Sequence, residues 1–87
     1  MTMNNRNDAI LVRLMRWDEE RQFMNMLSAY YTTAFDQTLR MFKYCKDEEL
    51  PIFDSNDEEY YIDNINVIFG DNNDRDGKMT CINVEVD

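Results

Sequence analysis

The feature that most constrains how this sequence can fold is a strict alternation of side chains over residues 80–87. One set of alternate positions, which we expect to be buried, consists of Thr80, Ile82, Val84 and Val86. The positions between them are Cys81, Asn83, Glu85 and Asp87. A period of two residues is typical of a β-strand with one buried face and one exposed face. Because one strand cannot bury its apolar face alone, the remaining residues must supply a partner strand and a cover.

A second strand is predicted within residues 60–69, which are rich in aromatic and β-branched residues. Its alternating positions on one face are Ile65, Val67 and Phe69. The polar segment before the alternating run contains Asp76-Gly77, a strong turn signal. These features predict an antiparallel β-hairpin over residues 60–87.

Residues 1–46 instead show apolar side chains at helical spacing. The first stripe contains Ile10, Leu11, Leu14 and Trp17, and a similar stripe contains Phe23, Met24, Leu27, Tyr30 and Tyr31. The sequence Thr33-Ala34-Phe35-Asp36 fits a capping box, and an amphipathic pattern follows it to about Lys46. The pattern predicts two or three helices in this half of the chain.

The predicted fold class is therefore α+β, with two or three N-terminal helices packed against a C-terminal antiparallel β-hairpin. A third short strand around Ile52-Phe53 would make the sheet three-stranded. The length predicts a single domain, residues 1–87, which buries roughly 60–65% of the surface that the unfolded chain exposes. Between its halves lies an acidic connector, residues 47–59, in which Pro51 prevents a continuous helix.

The charge is divided unevenly between the two halves of the chain. Residues 1–46 carry seven basic and five acidic residues, a net charge of +2, and residues 47–87 carry two basic and thirteen acidic residues, a net charge of −11. The total of −9 argues against binding to nucleic acid or to an anionic membrane, because Lys and Arg make the phosphate contacts. The asymmetry predicts that an interaction surface is built from the connector and the hairpin.

Several classes of chemistry are disfavoured by composition. With no histidine, the chain cannot form a Ser-His or Cys-His nucleophile or a histidine-containing zinc site. Two glycines are too few for the phosphate-binding glycine-rich motifs, and Cys45 and Cys81 are too few for a zinc cage. We therefore expect no enzymatic activity, no cofactor and no metal.

The expected location is the cytoplasm. The longest unbroken apolar run is residues 9–12, much shorter than a transmembrane span, and no secretory signal is apparent. A reducing compartment would keep both thiols free.

Residues 72–83 are similar to the twelve-residue calcium loop of an EF-hand, with Asn72, Asp74 and Asp76 at ligand positions and Gly77 at the invariant glycine. The loop has Asn83 where the bidentate glutamate belongs, and its flanks have the pattern of strands rather than helices. A polar hairpin loop uses the same residue types for its turn, and we favour that interpretation.

The acidic segments allow three interpretations: a solvated linker, a short acidic-hydrophobic peptide motif around Leu50, Ile52 and Phe53, or a surface that imitates nucleic acid. Carboxylates two residues apart on a strand are about 7 Å apart, a spacing comparable to that of phosphates. Exposed tyrosines beside them would anchor a partner protein. The predicted partner-binding residues are Asp54, Asp57, Glu58, Glu59, Tyr60, Tyr61, Asp63, Asp71, Asp74, Asp76 and Glu85.

In size, acidity and absence of catalytic motifs, the chain resembles the small acidic inhibitors that bacteriophages make against host defence, including anti-CRISPR and anti-restriction proteins. The resemblance rests on those three properties, and no motif is matched residue by residue. It implies a viral, DNA-mimic inhibitor acting in the host cytoplasm by occupying the basic nucleic-acid-binding surface of a target protein. The alternative is an acidic adaptor or structural subunit of a larger complex, or a homodimer built on the unpaired edge of the hairpin.

Overall fold

A computed structural model describes residues 9–70 and 79–87, and about half of these residues lie in strands. Six strands and one helix are present in those two ranges. In chain order they are β1 (Ile10–Asp18), β2 (Phe23–Thr32), α1 (Phe35–Asp47), β3 (Ile52–Phe53), β4 (Glu59–Tyr60), β5 (Ile62–Ile68) and β6 (Cys81–Val86).

The main structure is a mixed four-stranded sheet with the strand order β2-β1-β6-β5. Strand β1 pairs antiparallel with β2 and parallel with β6, and β6 pairs antiparallel with β5. Strands β3 and β4 form a separate two-stranded sheet. The two central strands, β1 and β6, thus come from opposite ends of the sequence.

The prediction of helices before residue 33 was wrong, because residues 10–32 form the hairpin of β1 and β2. Positions 10, 11, 14 and 17 fit a helix, but positions 10, 12 and 14 fit a strand equally well. As a central strand, β1 has apolar side chains on both faces, so its pattern is not a simple alternation. The pairing of β1 with β6, which lies about 70 residues away, determines that this segment is a strand and not a helix. The spacing of residues within the segment does not reveal this pairing.

A polar turn separates β1 from β2. The Oδ1 atom of Asp18 accepts hydrogen bonds from the backbone N–H groups of Glu20 (3.0 Å) and Arg21 (3.1 Å). Gln22 closes the turn in the left-handed region, with φ of 61°. Asp18 therefore directs a reversal of the chain rather than the start or continuation of a helix.

The predicted amphipathic helix after residue 33 is present as α1, but the predicted capping box is not. Ala34 occupies the N-cap, where no side chain caps the helix. The hydroxyl of Thr32, instead, accepts a hydrogen bond from the N–H of Ala34 at 3.1 Å. The inner face of the helix buries Thr38 and Phe42.

The prediction that the two C-terminal strands pair antiparallel is confirmed by β5 and β6. The third strand predicted around Ile52-Phe53 also forms, but it pairs with β4 and does not extend this hairpin. Strand β6 lies between β5 and β1, so both of its sides are paired. The outer side of β5 carries no further strand among the described residues.

The core lies between one face of the sheet and α1. It is formed by Ile10, Val12 and Leu14 of β1, by Ile82, Val84 and Val86 of β6, and by Phe42 and Tyr60. Ile82 and Val84 are fully buried. Within the described residues, no helix is long and apolar enough to cross a membrane.

The opposite surface, which we call the open face, carries the alternate side chains of the same strands. It includes Leu11, Arg13 and Met15 of β1, Ala29 and Tyr31 of β2, Cys81, Asn83 and Glu85 of β6, and Asn66 and Ile68 of β5. These side chains are half-buried or exposed. Across its middle, the Nε atom of Arg13 donates a hydrogen bond to Oδ1 of Asn83 at 2.8 Å.

Candidate functional site

Acidic residues collect where β1 and β6 finish and β5 begins. Val86 lies opposite Arg16 on one side and Ile62 on the other, so the residues just beyond these positions share one end of the sheet. The β3–β4 hairpin joins them through Tyr60. We call this region the acidic end; its carboxylates are Asp18, Glu19, Glu20, Asp54, Asp57, Glu58, Glu59, Asp63 and Asp87.

Asp54 organises the β3–β4 turn. Its Oδ1 atom accepts hydrogen bonds from the backbone N–H groups of Asn56 (2.8 Å) and Glu58 (3.0 Å), and its Oδ2 atom accepts one from the hydroxyl of Tyr60 (3.1 Å). Backbone bonds from Asp57 to Asp54 (3.0 Å) and from Asp54 to Glu58 (3.1 Å) close the turn. Asp57, with φ of 63°, takes the left-handed position that Asp and Asn tolerate better than most residues.

The hydrogen bonds to Asp54 also fix its charge. The backbone N–H of Glu58 contributes most to a pKa below the usual aspartate value of 3.8, and the N–H of Asn56 and the hydroxyl of Tyr60 lower the pKa further. Burial acts in the opposite direction but is outweighed. Asp54 is therefore an ionised, fixed carboxylate at neutral pH.

Tyr60 ties the hairpin to the main sheet. Only 8% of the residue is exposed, and the guanidinium carbon of Arg16 lies 5.2 Å from the centre of its ring. Burial, followed by the hydrogen bond to Asp54, raises the pKa of Tyr60. Arg16 is held in turn by a 3.1 Å hydrogen bond from its Nε atom to the backbone carbonyl of Asp87.

Tyr61 is an exposed aromatic residue of this region, with 45% of its surface accessible, as are Trp17 (44%) and Phe23 (45%) beside the β1–β2 turn. Its hydroxyl donates to Oε2 of Glu59 at 3.2 Å, and that hydrogen bond is the main cause of its raised pKa. The N–H of Asp87 donates to the backbone carbonyl of Tyr61 at 3.3 Å. Tyr61 thus presents an aromatic ring among carboxylates, as a contact surface requires.

The structure brings together about half of the predicted site. Asp54, Asp57, Glu58, Glu59, Tyr61 and Asp63 lie at the acidic end. Tyr60 belongs to the core, so it supports the surface rather than contacting a partner. Glu85 lies on the open face, beside Met15 and Asn64, and points away from the β3–β4 hairpin. The three remaining predictions, Asp71, Asp74 and Asp76, lie outside the described residues, as does most of the 72–83 loop.

The predicted surface did not include the carboxylates of the β1–β2 turn, Asp18, Glu19 and Glu20. The run Asp18-Glu19-Glu20-Arg21 between two apolar segments was the available signal, because such charged interruptions are typical of turns. The acidic end has two cationic groups of its own: Arg16, which is held over Tyr60, and Arg21, whose Nη1 atom lies 3.9 Å from Asp18. The remaining negative charge faces solvent.

A second feature is an apolar groove of about 530 Å³ between α1, β3 and strands β1 and β2. Its lining includes Val12, Leu14, Tyr30, Met41, Phe42 and Phe53. Burial in this environment raises the pKa of Tyr30. The residues that line the groove include no pair of carboxylates and no nucleophile paired with a base. Asp54, at the rim of the groove, accepts hydrogen bonds from the backbone N–H groups of its own turn.

Metal-ligating side chains do not converge in the described part of the chain, which holds no group of three or more His, Cys, Asp or Glu residues suited to a metal ion. Cys45 and Cys81 are free, half-buried thiols.

No known protein family, characterised protein or solved structure matches this chain. The geometry of the acidic end is therefore the basis for its functional interpretation.

Proposed function

We propose that this protein is a non-enzymatic inhibitor that occupies a basic, nucleic-acid-binding surface of another protein with its acidic end. The observation that carries the proposal is the collection of nine carboxylates, from three separate segments, around one end of the main sheet and the β3–β4 hairpin that Tyr60 and Arg16 join to it. Carboxylates that merely kept the chain soluble would have no reason to share one end.

The rigidity of the β3–β4 turn supports this proposal. Three hydrogen bonds hold the carboxylate of Asp54, and Tyr60 fixes the turn against the core. Binding therefore does not require ordering of a flexible acidic segment, which would cost conformational entropy. Residues 52–60 act as a preformed element rather than as a linear peptide motif.

The mechanism would combine long-range and short-range electrostatics. The field of the acidic end would steer encounter with a cationic groove, and exposed carboxylates would then pair with its Arg and Lys side chains. Tyr61 would add an aromatic contact between those ion pairs. Nucleic acid would be excluded because both ligands require the same cationic residues.

Affinity capture of the partner from a host-cell lysate, at two salt concentrations, tests the proposal. The expected partner is retained at about 50 mM salt, is released at about 200 mM salt, and is displaced by added duplex DNA. A partner that stays bound at the higher salt concentration and ignores DNA would contradict competitive mimicry and would favour an apolar adaptor interface.

Two matched variants locate the surface. Asp57→Asn/Glu58→Gln/Asp63→Asn removes three charges from the acidic end, and Asp47→Asn/Glu48→Gln/Glu49→Gln removes three from the end of α1. We expect the first variant to weaken capture of the partner about three- to a hundredfold, since each of the three exposed pairs contributes about 0.2–1 kcal/mol, and the second to change it less than about twofold. Equal losses would show that net charge, and not the acidic end, is responsible.

A further inference from the structure

Strand β2 is an unprotected edge of the main sheet. Its inner side pairs with β1, and no described strand pairs with its outer side. None of its ten residues, Phe23–Thr32, is charged, and none is proline. Natural proteins usually protect such an edge with charge, proline or a covering element, because its free N–H and C=O groups bind further strands.

The opposite edge strand, β5, does have those protections. It is shorter, it contains Asp63, and α1 packs against it. The contrast between the two edges indicates that β2 is kept free for a strand to pair with it.

The regular part of the free edge is short. A bulge at Leu27 interrupts the pairing of β2 with β1, which leaves Ser28–Thr32 as an uninterrupted stretch. Within it Tyr30 and Tyr31 are 48% and 68% exposed. These two rings lie on opposite faces of the sheet, Tyr30 beside the apolar groove and Tyr31 on the open face.

We propose that the strand which pairs with this edge is β2 of a second copy of the chain, antiparallel and about a two-fold axis at Tyr30. Ala29 of each copy would then lie opposite Tyr31 of the other, and the two sheets would join into one of eight strands. This inference is independent of the proposed inhibitory function. It also differs from a dimer built on the C-terminal hairpin, because the edge strand of that hairpin is β5.

The distribution of charge leaves β2 as a segment at which two copies can approach, and it favours the antiparallel orientation. Two chains of charge −9 repel each other over most of their surfaces, but the paired strands themselves carry no charge. The acidic β1–β2 turn, with Asp18, Glu19 and Glu20, lies beyond Phe23, at the opposite end of β2 from Thr32. Antiparallel pairing therefore directs the two turns away from each other, whereas parallel pairing would place them side by side.

Sedimentation equilibrium of the full chain at about 150 mM salt tests the proposal. We expect a mass of twice the 10.5 kDa chain. Ala29→Lys/Tyr31→Lys would place Lys opposite Lys at two positions, and Ala29→Glu/Tyr31→Glu would place Glu opposite Glu. Each variant alone should sediment as a monomer, and an equimolar mixture of the two should recover the dimer mass, which misfolded variants would not do.

The matched control changes the opposite edge. Asn66 and Ile68 of β5 lie in the same two rows of the open face as Ala29 and Tyr31, so Asn66→Lys/Ile68→Lys makes the same change in charge. This control should remain dimeric. A monomeric wild-type chain, or a mixture of the Lys and Glu variants that stays monomeric, would overturn the proposal.

Discussion

At the scale of single residues, the acidic end depends on three side chains that hold one another. Asp54 closes its turn and accepts a hydrogen bond from Tyr60, and Arg16 covers the ring of Tyr60. Arg16 is itself exposed, so it both holds the ring of Tyr60 and offsets part of the repulsion among the nearby carboxylates, because like charges oppose compaction.

The charge of Asp54 should make the stability of the protein depend on pH. Its pKa is lowered in the folded state from 3.8, so its stabilisation is fully present above 3.8 and is lost as the pH falls through the folded value. We expect Asp54→Asn to be less stable than the wild type at pH 7 and the difference to vanish in acid. Urea unfolding from pH 7 downward measures this difference.

Asp57→Asn is the control for that experiment, since Asp57 is an exposed residue of the same turn and Asn also tolerates its positive φ. Its stability relative to the wild type should vary less with pH. If the difference between Asp54→Asn and the wild type were the same at every pH, the hydrogen-bonded carboxylate would not be the cause.

At the scale of elements, the parallel pairing of β1 with β6 is the feature that most distinguishes this fold from the predicted one. Leu11 lies directly opposite Cys81 on the open face. Neighbouring strands are about 4.8 Å apart, which is within the range of Cα separations that a disulfide spans. A helix over residues 10–17 would not create this specific register.

A Leu11→Cys variant, made together with Cys45→Ser, should therefore form an intramolecular disulfide with Cys81 under mild oxidation. Peptide mapping after proteolysis detects the bridge. The control Met15→Cys, in the same Cys45→Ser background, lies on the same face but about 13 Å further along the strand, and it should not react. Bridging by both variants, or by the Met15 variant alone, would contradict the register.

The sequence predicted those elements whose pattern is local. The alternation in β6 and the amphipathic pattern of α1 are each complete within their own segments, and both elements form close to their predicted bounds. The pattern of β1 depends on its neighbours: as a central strand it is apolar on both faces, and Leu, Met and Trp also suit helices. Its partner lies about 70 residues away, so no local window contains the deciding contact.

The same reasoning explains which site residues were predicted. The five acids of residues 54–63 are close together in sequence and stay together in the β3–β4 hairpin and the start of β5. Asp18 and Asp87 join them only because β1 and β6 are parallel and finish at the same end. Glu85 was placed with them by spacing alone, but strand alternation turns it to the open face.

At the scale of the whole molecule, a net charge of −9 and a small core make stability sensitive to ionic strength. The Debye length falls from about 30 Å at 0.01 M salt to about 8 Å at 0.15 M, so repulsion across the acidic end is screened over this range. We expect the melting temperature to rise by about 2–8 °C between these concentrations.

The two triple amide variants separate local from global repulsion. Asp57→Asn/Glu58→Gln/Asp63→Asn should reduce this salt-dependent rise more than Asp47→Asn/Glu48→Gln/Glu49→Gln does, because its charges lie among the other acids of the acidic end. Thermal unfolding followed by circular dichroism gives both values. An equal reduction by both variants would indicate that total charge alone sets the salt response.

The central position of β6 also determines how the chain folds during its synthesis. A ribosome releases β1 and β2 early, but the strand that lies beside β1 in the finished sheet emerges only after residues 81–86 have been added. Until then, one side of β1 and the uncharged edge of β2 are both open to other nascent chains. The main sheet therefore cannot be completed before β6 has been synthesised, because β6 is the strand that joins β1 to β5.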